Sequence, residues 1–349
     1  MEHPIKTAVV GFGLSGKVFH APFLHTLPGF ELSKILQRHS NSSKAIYPYV
    51  EVVKDFKNIL QDDEIELIAI CTPNTTHFDF AKKALEASKH IVIEKPFTNT
   101  SREADELIGL SNKYNKKIFV YHNRRWDNDF LTIQKVLKNK LIGNLVEYEC
   151  HFDRFKPVLK GDAWRDMDQP GSGILYDLGS HLIDQALVLF GKPRSLFADI
   201  RAQRPGSKVD DHFELILNYP EHKVILKAGM MVKAPLPRFI LHGDQGSFIK
   251  HGLDPQEAEL KAGKMPEGDN WGVEPKVNWG KLYVAPNGQD VIRIIETIPG
   301  CYQDFYQNVH DVLRNDAPQA IHPEEARDVI RIIELAFLSQ KEKRIVNFE

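Results

Sequence analysis

Three ionisable side chains near the middle of the chain have the spacing of one helix face. Asp177, His181 and Asp184 stand at i, i+4 and i+7 in a segment with helical apolar spacing. A histidine can accept or donate a proton near neutral pH, and the aspartate four residues earlier favours that role over a purely structural one. The spacing also suits a metal ion, but the lysine and the nucleotide loop described below make a metal unnecessary.

A lysine stands at the end of a predicted strand, directly before a proline. This residue is Lys95 in the stretch "HIVIEKP". An ammonium group beside a reacting oxygen stabilises the negative charge that develops there. A histidine base and such a lysine together suit the oxidation of an alcohol, because removing the hydroxyl proton eases loss of the hydride. The alternative is an ordinary surface lysine.

A glycine-rich loop follows the first predicted strand. Gly11, Gly13 and Gly16 form Gly-x-Gly-x-x-Gly, with Phe12 and Leu14 between them. In a dinucleotide-binding loop the first glycine makes the turn, the second admits the pyrophosphate and the third allows close helix–strand packing. The motif is weak alone, and a glycine-rich turn in another α/β protein is the alternative. Its position in the first strand–helix unit favours nucleotide binding.

The end of the second predicted strand bears on the choice of cofactor. An NAD site usually has an acid here, for the ribose hydroxyls. This strand ends in Gln37 and Arg38, and no acid follows before Glu51. Because an arginine suits a 2′-phosphate, the sequence favours NADP over NAD, with NAD still possible. The alternative is that Arg38 is a solvated charge beside a permissive site.

The predicted elements change character after the first third of the chain. Strands alternate with helices from residue 5 to about 122, which predicts a doubly wound parallel sheet. Later stretches are strand-like and separated by turns, which predicts an open, mainly antiparallel sheet in an α+β domain. We therefore expect a Rossmann domain over 1–122 and a second domain over 123–349. A final helix over about 323–341 is a candidate to pack back on the first domain.

Composition narrows the class of protein. The 349 residues contain 45 lysines and arginines against 47 acids, a net charge of −2, which argues against a nucleic-acid binder. The three cysteines, Cys71, Cys150 and Cys301, are far apart and predict neither a disulfide framework nor a zinc knuckle. The chain shows neither a signal core nor a membrane-length apolar run. These features favour a cytoplasmic protein.

Four stretches together resemble one known family. They are the glycine loop, "CTPNTTHFDFA", "IVIEKPF" and "GSGILYDLGSHLIDQAL". They resemble the glucose–fructose oxidoreductase/inositol dehydrogenase/MocA family over essentially the whole chain. Trp164-Arg165-Asp166 and the stretch from Gly173 to Pro193 look most like the subgroup that contains NADP-dependent scyllo-inositol dehydrogenase. Ser172 departs from the glycine of many members, and we expect little effect from it.

The resemblance implies roles for individual residues. It makes Lys95 the electrostatic and hydrogen-bonding partner of the substrate oxygen, Asp177 an orienting group and His181 the general acid and base. Arg154 and Tyr302 are weaker candidates for the substrate pocket, beside those three. For Trp164 and Arg165, an ordinary packed tryptophan and a surface arginine are the alternative. The expected cofactor-binding residues are Gly11, Phe12, Gly13, Leu14, Gly16, Arg38, Thr72, Pro73, Asn74, His77, Glu94, Lys95, Asn123, Trp164 and Arg165.

The leading prediction is an NADP-dependent dehydrogenase that acts on a polyol, an inositol or a sugar. A second possibility is an enzyme that cleaves glycosides by transient oxidation with tightly held NAD, against which Arg38 counts. A third is a non-catalytic nucleotide-binding regulator, against which the lysine, aspartate and histidine count. We expect a homodimer or homotetramer formed through the open sheet, because its apolar face has to be covered. Neither nucleic acid nor membrane is an expected partner.

Overall fold

The computed structural model describes residues 3–159 and 167–348, and these form two compact units. Unit 1 comprises Met1–Asn123, Pro255–Trp271 and Cys301–Arg327, and unit 2 comprises Arg124–Asp254, Gly272–Gly300 and Asp328–Glu349. The first segment of unit 1 ends one residue from the expected boundary. A boundary at a single point does not, however, describe the two later segments that join unit 1. Within the described residues, no helix combines the length and apolarity needed to cross a membrane.

The described residues form fifteen strands and nine α-helices. The strands are β1 (Ile5–Val10), β2 (Phe30–Leu36), β3 (Glu51–Val53), β4 (Leu67–Ile70), β5 (His90–Ile93), β6 (Ile118–Val120), β7 (Leu145–His151), β8 (Ser195–Arg201), β9 (His212–Asn218), β10 (Lys223–Gly229), β11 (Phe239–Gly243), β12 (Gly246–Lys250), β13 (Gly280–Val284), β14 (Val291–Ile295) and β15 (Val346–Asn347). The helices are α1 (Ala21–Thr26), α2 (Lys57–Leu60), α3 (His77–Glu86), α4 (Ser101–Tyr114), α5 (Asn128–Lys138), α6 (Ser180–Phe190), α7 (Gln256–Lys261), α8 (Gln303–Arg314) and α9 (Pro323–Glu342).

Unit 1 contains a six-stranded parallel sheet in the order β3-β2-β1-β4-β5-β6. This is the strand order of a doubly wound dinucleotide-binding fold, as the sequence predicted. The central strand β4 is buried along its whole length, as expected for a parallel sheet covered on both faces. Strand β3 was not predicted from the sequence, because three residues at a sheet edge are too short to show a periodic pattern.

Helix α8 explains why a late segment belongs to unit 1. Its Tyr306 is fully buried, stacks on Phe23 of α1 and meets Phe30 of β2 edge to face. At the end of the helix, Arg314 forms two hydrogen bonds with the Glu66 carboxylate, at 2.7 and 2.9 Å. The aromatic residues of α8 therefore complete the core of unit 1.

Unit 2 contains a nine-stranded sheet in the order β14-β13-β12-β11-β7-β10-β9-β8-β15. Within this sheet only the β7–β10 pairing is parallel among the described strands, so the prediction of a mainly antiparallel sheet is confirmed. Buried and half-exposed residues alternate along β9, which shows that one face is packed and the other open. Two strands were not predicted from the sequence: β14, where "VIRII" lacks a clear polar–apolar alternation, and the two-residue β15.

The final helix, α9, lies close to its predicted bounds. Its residues from Asp328 onward belong to unit 2, and its first five residues belong to unit 1. Near its end, Ser339 Oγ accepts a hydrogen bond from Ala198 N of β8 at 3.1 Å, and Gln340 Oε1 accepts one from Ile200 N at 3.2 Å. Most of α9 therefore belongs to unit 2, and its packing on the first domain stays a prediction.

Candidate functional site

The three glycines of the first loop occupy three different environments. Gly11 has φ +94°, and a Cβ there would lie 3.0 Å from the Cys71 carbonyl oxygen. A Cβ at Gly16 would overlap the Gly11 carbonyl oxygen, whereas one at Gly13 would have no atom within 4 Å. The first and third glycines are therefore required by the turn and by close packing. The second leaves open space beside the backbone, as a pyrophosphate group requires.

Most expected cofactor residues of unit 1 follow the carboxyl ends of its parallel strands. Phe12 and Leu14 belong to the loop after β1, and Leu14 is 53% exposed. Arg38 follows β2, and Asn123 follows β6 and is buried. The segments after β4 and β5 supply the others, namely Thr72, Pro73, Asn74, Glu94 and Lys95. In doubly wound folds this edge of the sheet is the one that binds ligands.

A buried carboxylate connects the glycine loop with the segment that carries Lys95. Glu94 Oε1 accepts a short hydrogen bond from Ser15 Oγ of the loop and lies 3.0 Å from His20 Nε2. The other oxygen, Glu94 Oε2, accepts a hydrogen bond from the backbone N–H of Lys95 at 3.0 Å. The opposite ring nitrogen of His20 lies 2.6 Å from the Tyr306 hydroxyl. Glu94 therefore fixes Ser15 and the Lys95 backbone against each other.

The electrostatics of Glu94 favour its charged form. Burial alone would raise the pKa of Glu94, but hydrogen bonds from His20 and Ser15 and the charges on His20 and Lys95 lower it to about 2. A lowered pKa is typical of a carboxylate that accepts several hydrogen bonds. His20 and Tyr306 were not identified from the sequence, because their importance depends on a contact between residues 286 positions apart.

His77 is buried between two loops rather than exposed to solvent. Its ring nitrogens lie 2.9 Å from the Pro96 carbonyl oxygen and 3.0 Å from that of Thr72. Burial lowers the pKa of His77, although the two carbonyl contacts oppose that shift. This geometry positions the loop after β4, so His77 would act on a cofactor through Thr72.

The expected acid–base face lies on a helix with an irregular start. The segment Leu175–Gly179, which contains Asp177, is a π-helical turn, and it continues directly into α6. His181 is 5% exposed and Asp177 is half-buried. Asp184 is buried and accepts two short hydrogen bonds from the Arg125 guanidinium, at 2.7 and 2.9 Å. Asp184 is therefore tied to Arg125, which favours a structural role for it.

A residue from a distant loop caps the start of this helical segment. The Asp210 carboxylate accepts a hydrogen bond from Leu175 N at 2.8 Å, although it is 35 residues away in the chain. Gly173 has φ +90°, and a Cβ there would overlap the Asp210 carboxylate. Burial raises the pKa of Asp210 to about 6, against the opposing backbone hydrogen bonds of Leu175 and Ile174. Nothing in the sequence pointed to this cap.

Arg154, a weaker candidate for substrate binding, lies on an open cavity within unit 2. Arginines 124, 154 and 238 place their guanidinium carbons 4.9, 5.1 and 4.8 Å from the centre of the Phe152 ring. Arg124 is ion-paired with Asp127, and Arg238 is buried, whereas Arg154 is only half-buried. Arg154 also lines a cavity of about 320 Å³.

The remaining predicted site residues are divided among unit 1, unit 2 and the part of the chain outside the described residues. Tyr302 belongs to unit 1 and is fully buried, and its backbone N–H donates to Gln256 Oε1 at 2.8 Å. Trp164 and Arg165 lie outside the described residues.

The expected catalytic residues are divided between the two units. Lys95 belongs to unit 1, and Asp177 and His181 belong to unit 2. Their assembly into one catalytic set stays a prediction. In the described part of the chain, no group of three or more histidine, cysteine or acidic residues could hold a metal ion.

Comparison with known families covers both units. A model of an oxidoreductase family's NAD-binding Rossmann fold matches residues 5–122. A second model, of the C-terminal alpha/beta domain of the same oxidoreductase family, matches residues 134–348. The two matches agree with the parallel sheet of unit 1 and the mixed sheet of unit 2.

Individual relatives extend over nearly the whole chain. The uncharacterised oxidoreductase YdgJ of Escherichia coli is 41% identical over 98% of each chain. The scyllo-inositol 2-dehydrogenase (NADP(+)) IolW of Bacillus subtilis is 39% identical, over 99% of this chain and 96% of the relative. The crystal structure of the oxidoreductase yvaA from Bacillus subtilis covers 99% of both chains, with 38% identity and a TM-score of 0.96. An oxidoreductase structure from Bacteroides fragilis is 45% identical over 99% of this chain and 100% of that one, with a TM-score of 0.91. The chain therefore belongs to the glucose–fructose oxidoreductase/inositol dehydrogenase/MocA family and is an NAD(P)-dependent oxidoreductase.

Proposed function

We propose that the protein oxidises a hydroxyl group of a polyol, an inositol or a sugar ring, and catalyses the reverse reduction, with NADP as its cofactor. The named activity of the relative IolW, an NADP-dependent scyllo-inositol dehydrogenase, supports this substrate class and this cofactor. The absence of an acid between Leu36 and Glu51, together with Arg38, supports NADP independently of that relative.

The observation that carries the proposal is the position of Glu94. Its carboxylate binds Ser15 of the glycine loop and the backbone N–H of Lys95 at the same time. The nucleotide loop and the lysine are therefore held by one buried group. This arrangement suits a redox enzyme, because the group that stabilises the reacting oxygen has to act beside the cofactor.

The residues of unit 1 fit a dinucleotide. Open space beside Gly13 and the required glycines at 11 and 16 suit the pyrophosphate, and Arg38 suits the adenosine end. The bound cofactor supplies the carbon that accepts or donates the hydride.

The acid–base chemistry falls to this chain's own side chains. His181 accepts the proton of the substrate hydroxyl during oxidation and returns it during reduction. The Lys95 ammonium donates a hydrogen bond to the same oxygen and stabilises its negative charge. Asp177 orients the substrate or the imidazole. His181 is 5% exposed, and this burial limits the access of bulk water to the base.

The test is a turnover assay with the full chain. The protein is incubated with NADP⁺ or NAD⁺ and a panel of inositols, linear polyols, sugars and nitrophenyl glycosides, while the absorbances of the reduced cofactor and of released nitrophenol are followed. Net reduction of NADP⁺ with one of these substrates supports the proposal. Glycoside cleavage without net cofactor reduction would instead favour the transient-oxidation alternative. Cofactor binding without any turnover across the panel would favour the regulator.

A further inference from the structure

The loop after β2 is organised by a buried glutamine side chain. Gln37 occupies the position after the strand, is 7% exposed and uses both ends of its amide. Its Nε2 donates to Ser40 Oγ at 2.8 Å and to Ser42 Oγ at 2.9 Å. Its Oε1 accepts from Ser43 N at 3.0 Å and from the Ser43 hydroxyl. Both N–H groups and the oxygen of the Gln37 amide thus form hydrogen bonds within a loop of seven residues.

The direction of these hydrogen bonds determines what the serines can offer. A hydroxyl group has one donor hydrogen and two acceptor lone pairs. Because Ser40 Oγ and Ser42 Oγ accept from the glutamine, their own hydrogens stay available. Within the part of the chain that the structure describes, neither hydrogen has an acceptor, and both serines are exposed. Two hydroxyl donors are therefore held at fixed positions on the surface of the loop.

Arg38 and Lys54 have different roles at this loop. Lys54 donates all three of its ammonium hydrogens, to Gln37 O at 2.9 Å, Ser40 O at 2.7 Å and Asn41 Oδ1 at 2.6 Å. Lys54 is therefore a clamp on the backbone of the loop. Arg38 is exposed, and among the described residues its guanidinium makes no hydrogen bond or ion pair. The Arg38 guanidinium is therefore available to bind a ligand.

We propose that Ser40 and Ser42 bind the 2′-phosphate of the cofactor together with Arg38, and that Gln37 is the positioning residue that turns both hydroxyl groups toward it. This inference rests on the proposed preference for NADP. Hydroxyl donors and a guanidinium are the groups that bind a phosphate monoester, and charge-assisted hydrogen bonds are the stronger class. The segment 37–50 contains no acid that would repel the phosphate. Gln37 therefore has two effects: it replaces the acid that is usual in an NAD site, and it positions the two serine hydroxyl groups.

The test measures binding rather than turnover. Calorimetric titrations with 2′,5′-ADP and 5′-AMP compare two probes that differ only in the 2′-phosphate, and NADP⁺ and NAD⁺ are titrated in parallel. Ser40→Ala/Ser42→Ala should weaken 2′,5′-ADP and NADP⁺ by about tenfold or more. Binding of 5′-AMP and NAD⁺ should change less than about twofold. Ser33→Ala, on β2 and outside the loop, is the matched control and should leave all four ligands unchanged.

A second variant tests the role of the glutamine itself. Gln37→Glu keeps the size of the side chain but replaces its two donors with acceptors. Both serine hydroxyls would then donate to the carboxylate and turn away from the ligand. The variant should lose the preference for 2′,5′-ADP and shift toward NAD⁺. Gln61→Glu, which adds the same charge at an exposed position of unit 1, should retain the wild-type preference.

The outcomes separate this inference from the proposal on which it rests. If the wild type prefers 2′,5′-ADP but the serine variant and Gln37→Glu keep that preference, the serines and the glutamine have no such role, and the proposed NADP preference stands. If the wild type binds 2′,5′-ADP no more tightly than 5′-AMP, the NADP preference itself is wrong. A circular dichroism melt of each variant confirms that the compared proteins are folded.

Discussion

At the scale of single residues, His181 and Lys95 are the groups that the proposed chemistry cannot lose. Substitution of either by alanine should lower kcat by about 10²–10⁴-fold, the range for one positioned acid–base group. Cofactor binding should survive His181→Ala, because His181 belongs to unit 2 and the glycine loop to unit 1. Steady-state kinetics and a cofactor titration measure the two effects. His322→Ala, at an exposed histidine, serves as the control.

The pH profile tests the identity of the base more closely. Oxidation by the wild type should increase with pH through a single ionisation, because the imidazole has to be neutral to accept the hydroxyl proton. That limb should flatten in His181→Ala. Near-normal turnover in this variant, with the limb intact, would place the base elsewhere.

Arg38 gives a separate prediction about the cofactor. Arg38→Ala should weaken NADP by roughly tenfold to a hundredfold, because it removes a charge-assisted partner of the phosphate. NAD should be affected much less. Titration of both cofactors measures the difference, with the exposed Arg102→Ala as the control. Equal losses for both cofactors would mean that Arg38 does not contact the 2′-phosphate.

At the scale of elements, the cap on the segment that carries Asp177 and His181 determines how that segment begins. Asp210 has an ordinary pKa of 3.8, which burial raises to about 6. An acid whose pKa is raised on folding contributes stability below its unfolded pKa, and this contribution is lost as the pH rises through the folded pKa. Asp210 should therefore make the protein less stable as the pH increases from about 4 to about 6.

Asp210→Asn tests this sign, because the amide oxygen can still accept the Leu175 N–H and carries no charge. The difference in Tm between Asp210→Asn and the wild type should move in favour of the variant between about pH 4 and pH 7. Asp210→Ala removes the acceptor and should lower Tm at every pH tested. The reason is that a lost cap costs about 0.5–2 kcal/mol of stability. A difference in Tm that is independent of pH would contradict the raised pKa of Asp210.

At the scale of the whole molecule, the open face of the unit 2 sheet is the surface expected to mediate association. A row of half-exposed apolar side chains crosses neighbouring strands in register, with Phe197 opposite Ile216 and Ile216 opposite Ile225. A second apolar pair, Ile240 and the facing Ile249, lies beyond Glu149 of β7, which stands between Ile225 and Ile240. Half-exposed apolar side chains grouped on one face of a sheet are typical of a contact surface rather than a solvated one.

We expect light scattering at micromolar concentration to show a homodimer or homotetramer. Ile225→Glu, in the middle of the row, should lower the measured mass, because it buries a charge in the contact. Val277→Glu, at a residue that is 86% exposed and outside the row, should not. If the wild-type protein has the mass of a monomer, this face is not an interface between copies of the chain.

The sequence by itself determined the features that depend on neighbours in the chain. The parallel sheet of unit 1, the glycine loop and the mainly antiparallel sheet of unit 2 follow from local periodicity and from glycines a few positions apart. The family followed from motifs of the same short range. The boundary near residue 122 also has a local signal, because the strand–helix alternation ends there.

Only the tertiary structure decided which distant side chains hold these motifs in place. Glu94 and His20 are 74 positions apart, and Asp210 caps Leu175 across 35 positions. In the sequence, Gln37 indicated only that an acid was missing after β2. The structure shows that its amide also donates hydrogen bonds to two serines of the same loop. The physical reason is the same in each case. A buried polar group has to find a partner wherever the fold brings one, and no periodic pattern in the sequence records that choice.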